Sequence, residues 1–179
     1  MLLTGLLPDI TTDPAIETAI DSVEAGRSGT IVAPVGIRPP LLAAVASRAA
    51  TPLVVLTATG RDAESLTNAL ASWIPGVAML PAWETLPHER LSPQVDTMAR
   101  RIAVLRRLVH PIKGDDSAGP MSVLVVPIRA FLQPIISGLA DLEPVRVRTG
   151  DILDLTETTN RLAELGYERV DMVEGRVQM

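Results

Sequence analysis

The stretch GTIVAPVGIRPPLLAAVA, Gly29 to Ala46, decides how the rest of the chain is read. Thr30-Ile31-Val32-Ala33 is an apolar, β-branched run that predicts a strand. A Pro34-Val35-Gly36 turn follows, and then an aliphatic segment that predicts a helix over about residues 38–49. Strand, turn and helix in that order open an α/β layout at the place where a phosphate loop sits. A working loop reads G-x-x-x-x-G-K-[ST], because backbone amides cradle the phosphates, Lys reaches the β/γ-phosphates and a hydroxyl holds magnesium. Here the turn offers Gly36, Ile37, Arg38, Pro39 and Pro40, with no Lys and no Ser or Thr. The two prolines also remove amide donors from the helix N-terminus that would grip an anion. Two readings stand for Gly36 and Arg38: a tight βα turn with an exposed Arg, or a residual anion site. The sequence predicts no cofactor.

Outward from this unit, Pro52-Leu53-Val54-Val55-Leu56 is a continuous apolar run of the type buried on both faces of a parallel sheet. A helix is predicted from Arg61 to about Trp73, with Ala63, Leu66, Leu70 and Trp73 on one stripe, and a short strand at Val77–Leu80. Three prolines break residues 81–93, PAWETLPHERLSP. Ser92-Pro93 then opens a helix whose Val95, Met98, Ile102, Leu105 and Val109 form an apolar stripe. Arg100, Arg101, Arg106 and Arg107 lie off it, as a solvated face or as a DNA or partner contact. Residues 113–120 read as a loop, Ser122–Val126 as a strand and 128–136 as a short helix. Upstream, Asp13 and Pro14 cap and start a helix that Gly26 stops. Strands alternating with helices predict an α/β fold, a parallel sheet with helices on both faces.

Character changes after about Ala140. Pro144–Arg148 alternates apolar and basic, a helix runs from about Leu155 to Leu165 and stops at Gly166, and Tyr167–Val173 alternates again. Two strands and one helix cannot bury a core alone. We therefore expect domain 1–140, followed by 141–179 as the start of a partial second α+β module.

Composition narrows the function classes. Zero Cys and two His, His88 and His110, argue against thiolate or His-based metal sites and against a Cys nucleophile. A net charge of −5 disfavours a DNA-binding surface across the whole chain, and four aromatic side chains leave little for stacking on single strands. His88 and Glu89 have no acid–base partner placed by spacing, so no catalytic residue is expected. Mean hydropathy is +0.28, yet no apolar run reaches the about 18 residues of a membrane span. No signal peptide is evident, and a cytoplasmic location is expected.

Leu80–Pro87 with Trp83 and Glu84, then Leu91-Ser92-Pro93, the arginine-rich helix and Val123–Pro127 resemble the amino-terminal region of bacterial transcription-repair coupling factors. Leu165-Gly166-Tyr167-Glu168-Arg169-Val170-Asp171 is similar to that family's Gly-Tyr-x-x-Val-Asp signature. The resemblance implies a region like the excision-repair protein UvrB: a RecA-like half with a degenerate phosphate loop, then an inserted UvrA-binding module, here truncated. It implies a non-catalytic fragment that docks UvrA. The remainder of the factor carries the ATP-dependent DNA translocase and the contacts with DNA and RNA polymerase. Arg169 matches an Arg of the UvrA-contacting surface; Arg146, Arg148 and Tyr167 accompany it in the tail as partner-binding candidates or plain surface residues. Trp83 is either a packing anchor or a stacking contact, and Glu84 an acceptor for loop amides. A nucleotide-binding ATPase domain with an atypical loop and a DNA-binding module are the alternatives.

Overall fold

The computed structural model describes residues 2–84, 94–115, 117–147, 149–165 and 167. The chain divides into two units, Met1–Asp141 and Leu142–Met179.

In the first unit, α1 (Leu7–Thr11) leads into α2 (Pro14–Glu24). The Asp13 carboxylate accepts from the amides of Ala15 and Ile16, and Gly26, at φ 66°, ends the segment in the left-handed region. A 3-10 turn at Val35–Ile37 runs directly into α3 (Arg38–Arg48), followed by β1 (Leu53–Thr57). The Thr59 hydroxyl accepts from the Asp62 amide and starts α4 (Gly60–Ala71). Then come β2 (Val77–Met79), α5 (Val95–Val109), β3 (Val123–Pro127) and α6 (Ile128–Phe131). The second unit holds α7 (Leu155–Glu164), capped by the Asp154 carboxylate accepting from the Glu157 amide.

The three strands are parallel in the order β1-β3-β2, with Leu53 and Val77 both level with Val123. Central β3 is buried at all five positions. Its Val123 and Val125 join a core with Leu7, Ile20, Leu41, Ala44, Ala63 and Leu70, from α1, α2, α3 and α4. Leu124 and Val126 point the other way, into a second core with Ala78, Ala130 and Val104 of α5. The period-2 alternation of a strand thus feeds two helical layers, and the predicted α/β sheet with helices on both faces is what forms. Alanines do much of the packing: Ala43, Ala44 and Ala63 are fully buried, and their small side chains let α3 and α4 approach closely.

Four expectations are corrected. Thr30–Ala33 is not a strand: it pairs with nothing among the described residues, and Val32 is 95% exposed. β-branched residues favour a strand only where a neighbour supplies the ladder, and among the described residues no strand pairs with them. The run at Leu53–Leu56 is not buried on both faces either; β1 is an edge strand with Val54 and Leu56 about half exposed. Helix α5 buries Thr97, Arg101, Val104 and Leu105 and leaves Val95 72% exposed, so its inward face is rotated from the predicted stripe. Residues 143–147 form no strand. Ser92-Pro93, Arg148, Gly166 and the predicted strand beyond Tyr167 lie outside the described residues.

Candidate functional site

At the turn after Pro34, α3 begins at Arg38 with Ile37 before it and no side chain capping the end. Of the first four positions whose amides could face an anion, Pro39 and Pro40 carry no N–H. Pro40 and Leu41 are buried against the core. Gly36 has an ordinary negative φ, and a Cβ there would meet nothing within 4 Å, so neither conformation nor space demands glycine. Arg38 is exposed on the rim of an apolar cleft shared with Leu42, Val55 and Leu66.

The proline-broken segment after β2 is held by side chains from two other elements. The Gln133 side-chain amide accepts from the Trp83 N–H at 2.8 Å and donates to the Trp83 carbonyl at 3.3 Å, standing in for a strand partner. Arg101 of α5 is fully buried and lays its guanidinium 4.5 Å from the centre of the Trp83 ring, while its Nη1 donates to the Pro81 carbonyl at 2.6 Å. Its Nε makes no hydrogen bond among the described residues. Burial pulls its pKa below the ordinary arginine value, from so high a start that it stays cationic. The Arg101 guanidinium thus lies against the ring face of Trp83.

Glu84 reaches the start of α5. The Thr97 hydroxyl donates to its carboxylate, and Arg129 Nη2 donates to its carbonyl at 3.1 Å. The Thr97 hydrogen bond, helped by the backbone amides of Glu84 and Gln94 and by the Arg129 charge, holds the Glu84 carboxyl below its ordinary value. Gln94 offers α5 no side-chain cap, so Glu84 supplies from a distance the acceptor and negative charge that a helix N-terminus favours. Its acceptor role draws on the Thr97 hydroxyl, its own loop amide and the Gln94 amide just beyond the loop.

The remaining candidates are spread apart. Of the α5 arginines only Arg100 is exposed; Arg107 Nε donates to the Gly119 carbonyl at 2.9 Å. In the second unit Arg146 is exposed in an irregular segment. Tyr167 is exposed after α7, its amide donating to the Leu162 carbonyl at 3.0 Å. Arg148 and Arg169, like His88 and Glu89, lie outside the described residues. Among the described residues no group of three His, Asp or Glu could hold a metal ion, and no helix is long and apolar enough to cross a membrane. Sequence reasoning passed over Thr97 and Gln133 and placed Arg101, which is buried, among the arginines off the apolar stripe. The signal for Thr97 and Arg101 was their 4-then-3 spacing with Val104, hidden by counting only apolar residues.

No family model matches the chain. It is 46% identical over 147 residues, 80% of its length, to the transcription-repair-coupling factors of Mycobacterium bovis and Mycobacterium tuberculosis. It is 27% identical over 135 residues, 74% of its length, to the transcription-repair-coupling factor of Escherichia coli. The resemblance drawn from the Trp83–Glu84 loop therefore holds over most of the chain. The chain spans only 12% of the length of the mycobacterial relatives and 11% of the Escherichia coli one.

Proposed function

We propose that this chain, similar over four-fifths of its length to transcription-repair-coupling factors, serves that process as a non-catalytic scaffold that binds no nucleotide cofactor and carries a docking surface for UvrA. The observation that carries the non-catalytic half is the start of α3, where Pro39 and Pro40 replace the amides that a phosphate needs. An ATPase reading would need an anion grip that this turn lacks. A DNA-binding reading would need the α5 arginines at the surface, but Arg101 is fully buried and Arg107 is bonded to the Gly119 carbonyl. The docking half rests on Arg146, Arg148, Tyr167 and Arg169. Arginine pairs with a partner's carboxylates in two-pronged fashion, and an exposed Tyr adds apolar area with a polar tip.

Titrating purified UvrA against the chain and its Arg169→Glu variant tests the docking role. Binding is expected for the parent and a loss of roughly tenfold or more for the variant, as for a charged interface contact. Equal binding by both removes Arg169 from the surface, and no binding by the parent sinks the UvrA reading.

A further inference from the structure

Helix α5 is apolar on two sides, and we propose that the outer one is a docking seam for an acidic amphipathic helix of a partner protein. Thr97, Arg101, Val104 and Leu105 form the inward side and are buried. The outer side carries Val95, Ile102 and Val109, which recur every seven residues, with Met98 between the first two. Val95 is 72%, Met98 40% and Val109 57% exposed, and Ile102 is half-buried. A surface helix ordinarily turns polar residues away from its core. Here the residues turned away are aliphatic, and their repeat is that of a helix–helix seam with β-branched side chains at the first heptad position. Ala99 and Ala103 lie next to the stripe and are exposed. Their small side chains let a second helix come close. From Val95 to Val109 the seam runs about 21 Å, at about 1.5 Å per residue. A long, narrow stripe of this period suits a helix laid along it, read through anchors three, four and seven residues apart.

Charge selects the kind of helix. Although the whole chain is acidic, α5 carries Arg100, Arg101, Arg106 and Arg107 against one carboxylate, Asp96. Of the other acids nearby, Glu84 accepts from Thr97 at the amino end, and Asp141 is bonded to His110 at 2.7 Å. The arginines outside the core therefore lend the seam a positive border. Long arginine stems can fold over the edge of a docked helix and meet its carboxylates. Two copies of α5 laid together would bring like charges within a screening length of each other, which disfavours a second copy as the occupant. The partner is thus a helix with an apolar face bordered by Glu or Asp. The seam belongs to the first unit and stands apart from the UvrA role, which draws on residues of the second.

The test uses the 179-residue chain, the acetylated and amidated peptide EIAALEEEIAALEEEIAALEE, and its basic counterpart KIAALKKKIAALKKKIAALKK. The acidic peptide is expected to bind saturably and the basic one not to bind. The double variant Val95→Ser/Val109→Ser removes two exposed anchors, and should weaken binding tenfold or more with an unchanged far-UV CD spectrum. Arg100→Glu should weaken it about threefold at low salt and have no effect at high salt. Leu132→Ser, in a separate exposed apolar segment, should bind as the parent does. No binding by the acidic peptide, equal binding by the basic peptide or by the double variant, or an Arg100→Glu variant that binds unchanged at low salt overturns the seam. So does a loss confined to Leu132→Ser, which moves the site off α5. Tighter binding of duplex DNA than of the acidic peptide overturns the partner in favour of nucleic acid. A concentration-dependent dimer abolished by the double variant overturns it in favour of a second copy.

Discussion

Arg101 is the residue on which the segment after β2 depends. Its guanidinium gives up water for one carbonyl and one aromatic face. Removing it would leave a cavity beside Trp83 and an unbonded Pro81 carbonyl. We expect Arg101→Ala and Trp83→Ala each to lower unfolding free energy by about 2–3 kcal/mol. The double variant should fall short of the sum by about 1 kcal/mol. Urea denaturation of the four proteins measures both quantities, and strict additivity would refute the ring contact. Glu84 gives a pH signature. Its folded pKa lies below the unfolded one, so its stabilisation is full above the unfolded value of about 4.3 and is lost as the pH falls through the folded value. Thermal melts of the parent and of Glu84→Gln should therefore differ at pH 6 and converge in acid. A gap that persists to the lowest pH would mean that the carboxylate charge is not what α5 uses.

At the scale of elements, α5 shows how a helix can be found correctly and oriented wrongly. Its apolar residues mark a helical period, and the helix is there. The face it buries is chosen by fit against Ala78, Leu124 and Val126 and by the Arg101–Trp83 contact. Val95→Ser should change stability by no more than about 0.5 kcal/mol, whereas Val104→Ala should cost about 2 kcal/mol. The reverse ranking in chemical denaturation would restore the predicted stripe. Helix α4 obeys the opposite limit. Ala63 is fully buried, and Ala63→Leu should overpack its core by about 1–3 kcal/mol. The Val77–Met79 strand depends on Gly76, at φ 74°, whose carbonyl accepts from Ser122 and Val123.

For the whole molecule, the absence of an anion grip at α3 predicts that millimolar Mg-ATP leaves the melting temperature unchanged, since a ligand stabilises only by binding the folded state. A clear upward shift would revive the ATPase reading. Much of the architecture was legible in sequence. Asp13-Pro14 and Gly26 bound α2, and the valine-rich runs before Thr57 and Pro127 become parallel strands, because caps and β-branched runs act through local geometry that the chain carries with it. The two missing amide donors at the start of α3 were legible for the same reason: Pro39 and Pro40 lack an N–H in any fold. The sequence could not say which strand lies at the centre. The runs at 53–56 and 123–126 are equally apolar, yet only the strand order makes β3 doubly buried and β1 an open edge. Nor could it say that Thr30–Ala33 would stand unpaired or that Arg101 would turn inward. Sequence by itself determined the helix caps, the runs that become the three paired strands and the two amides missing from the turn. Tertiary structure alone decided which faces and edges are covered, because burial and ladder pairing depend on neighbours far away in the chain.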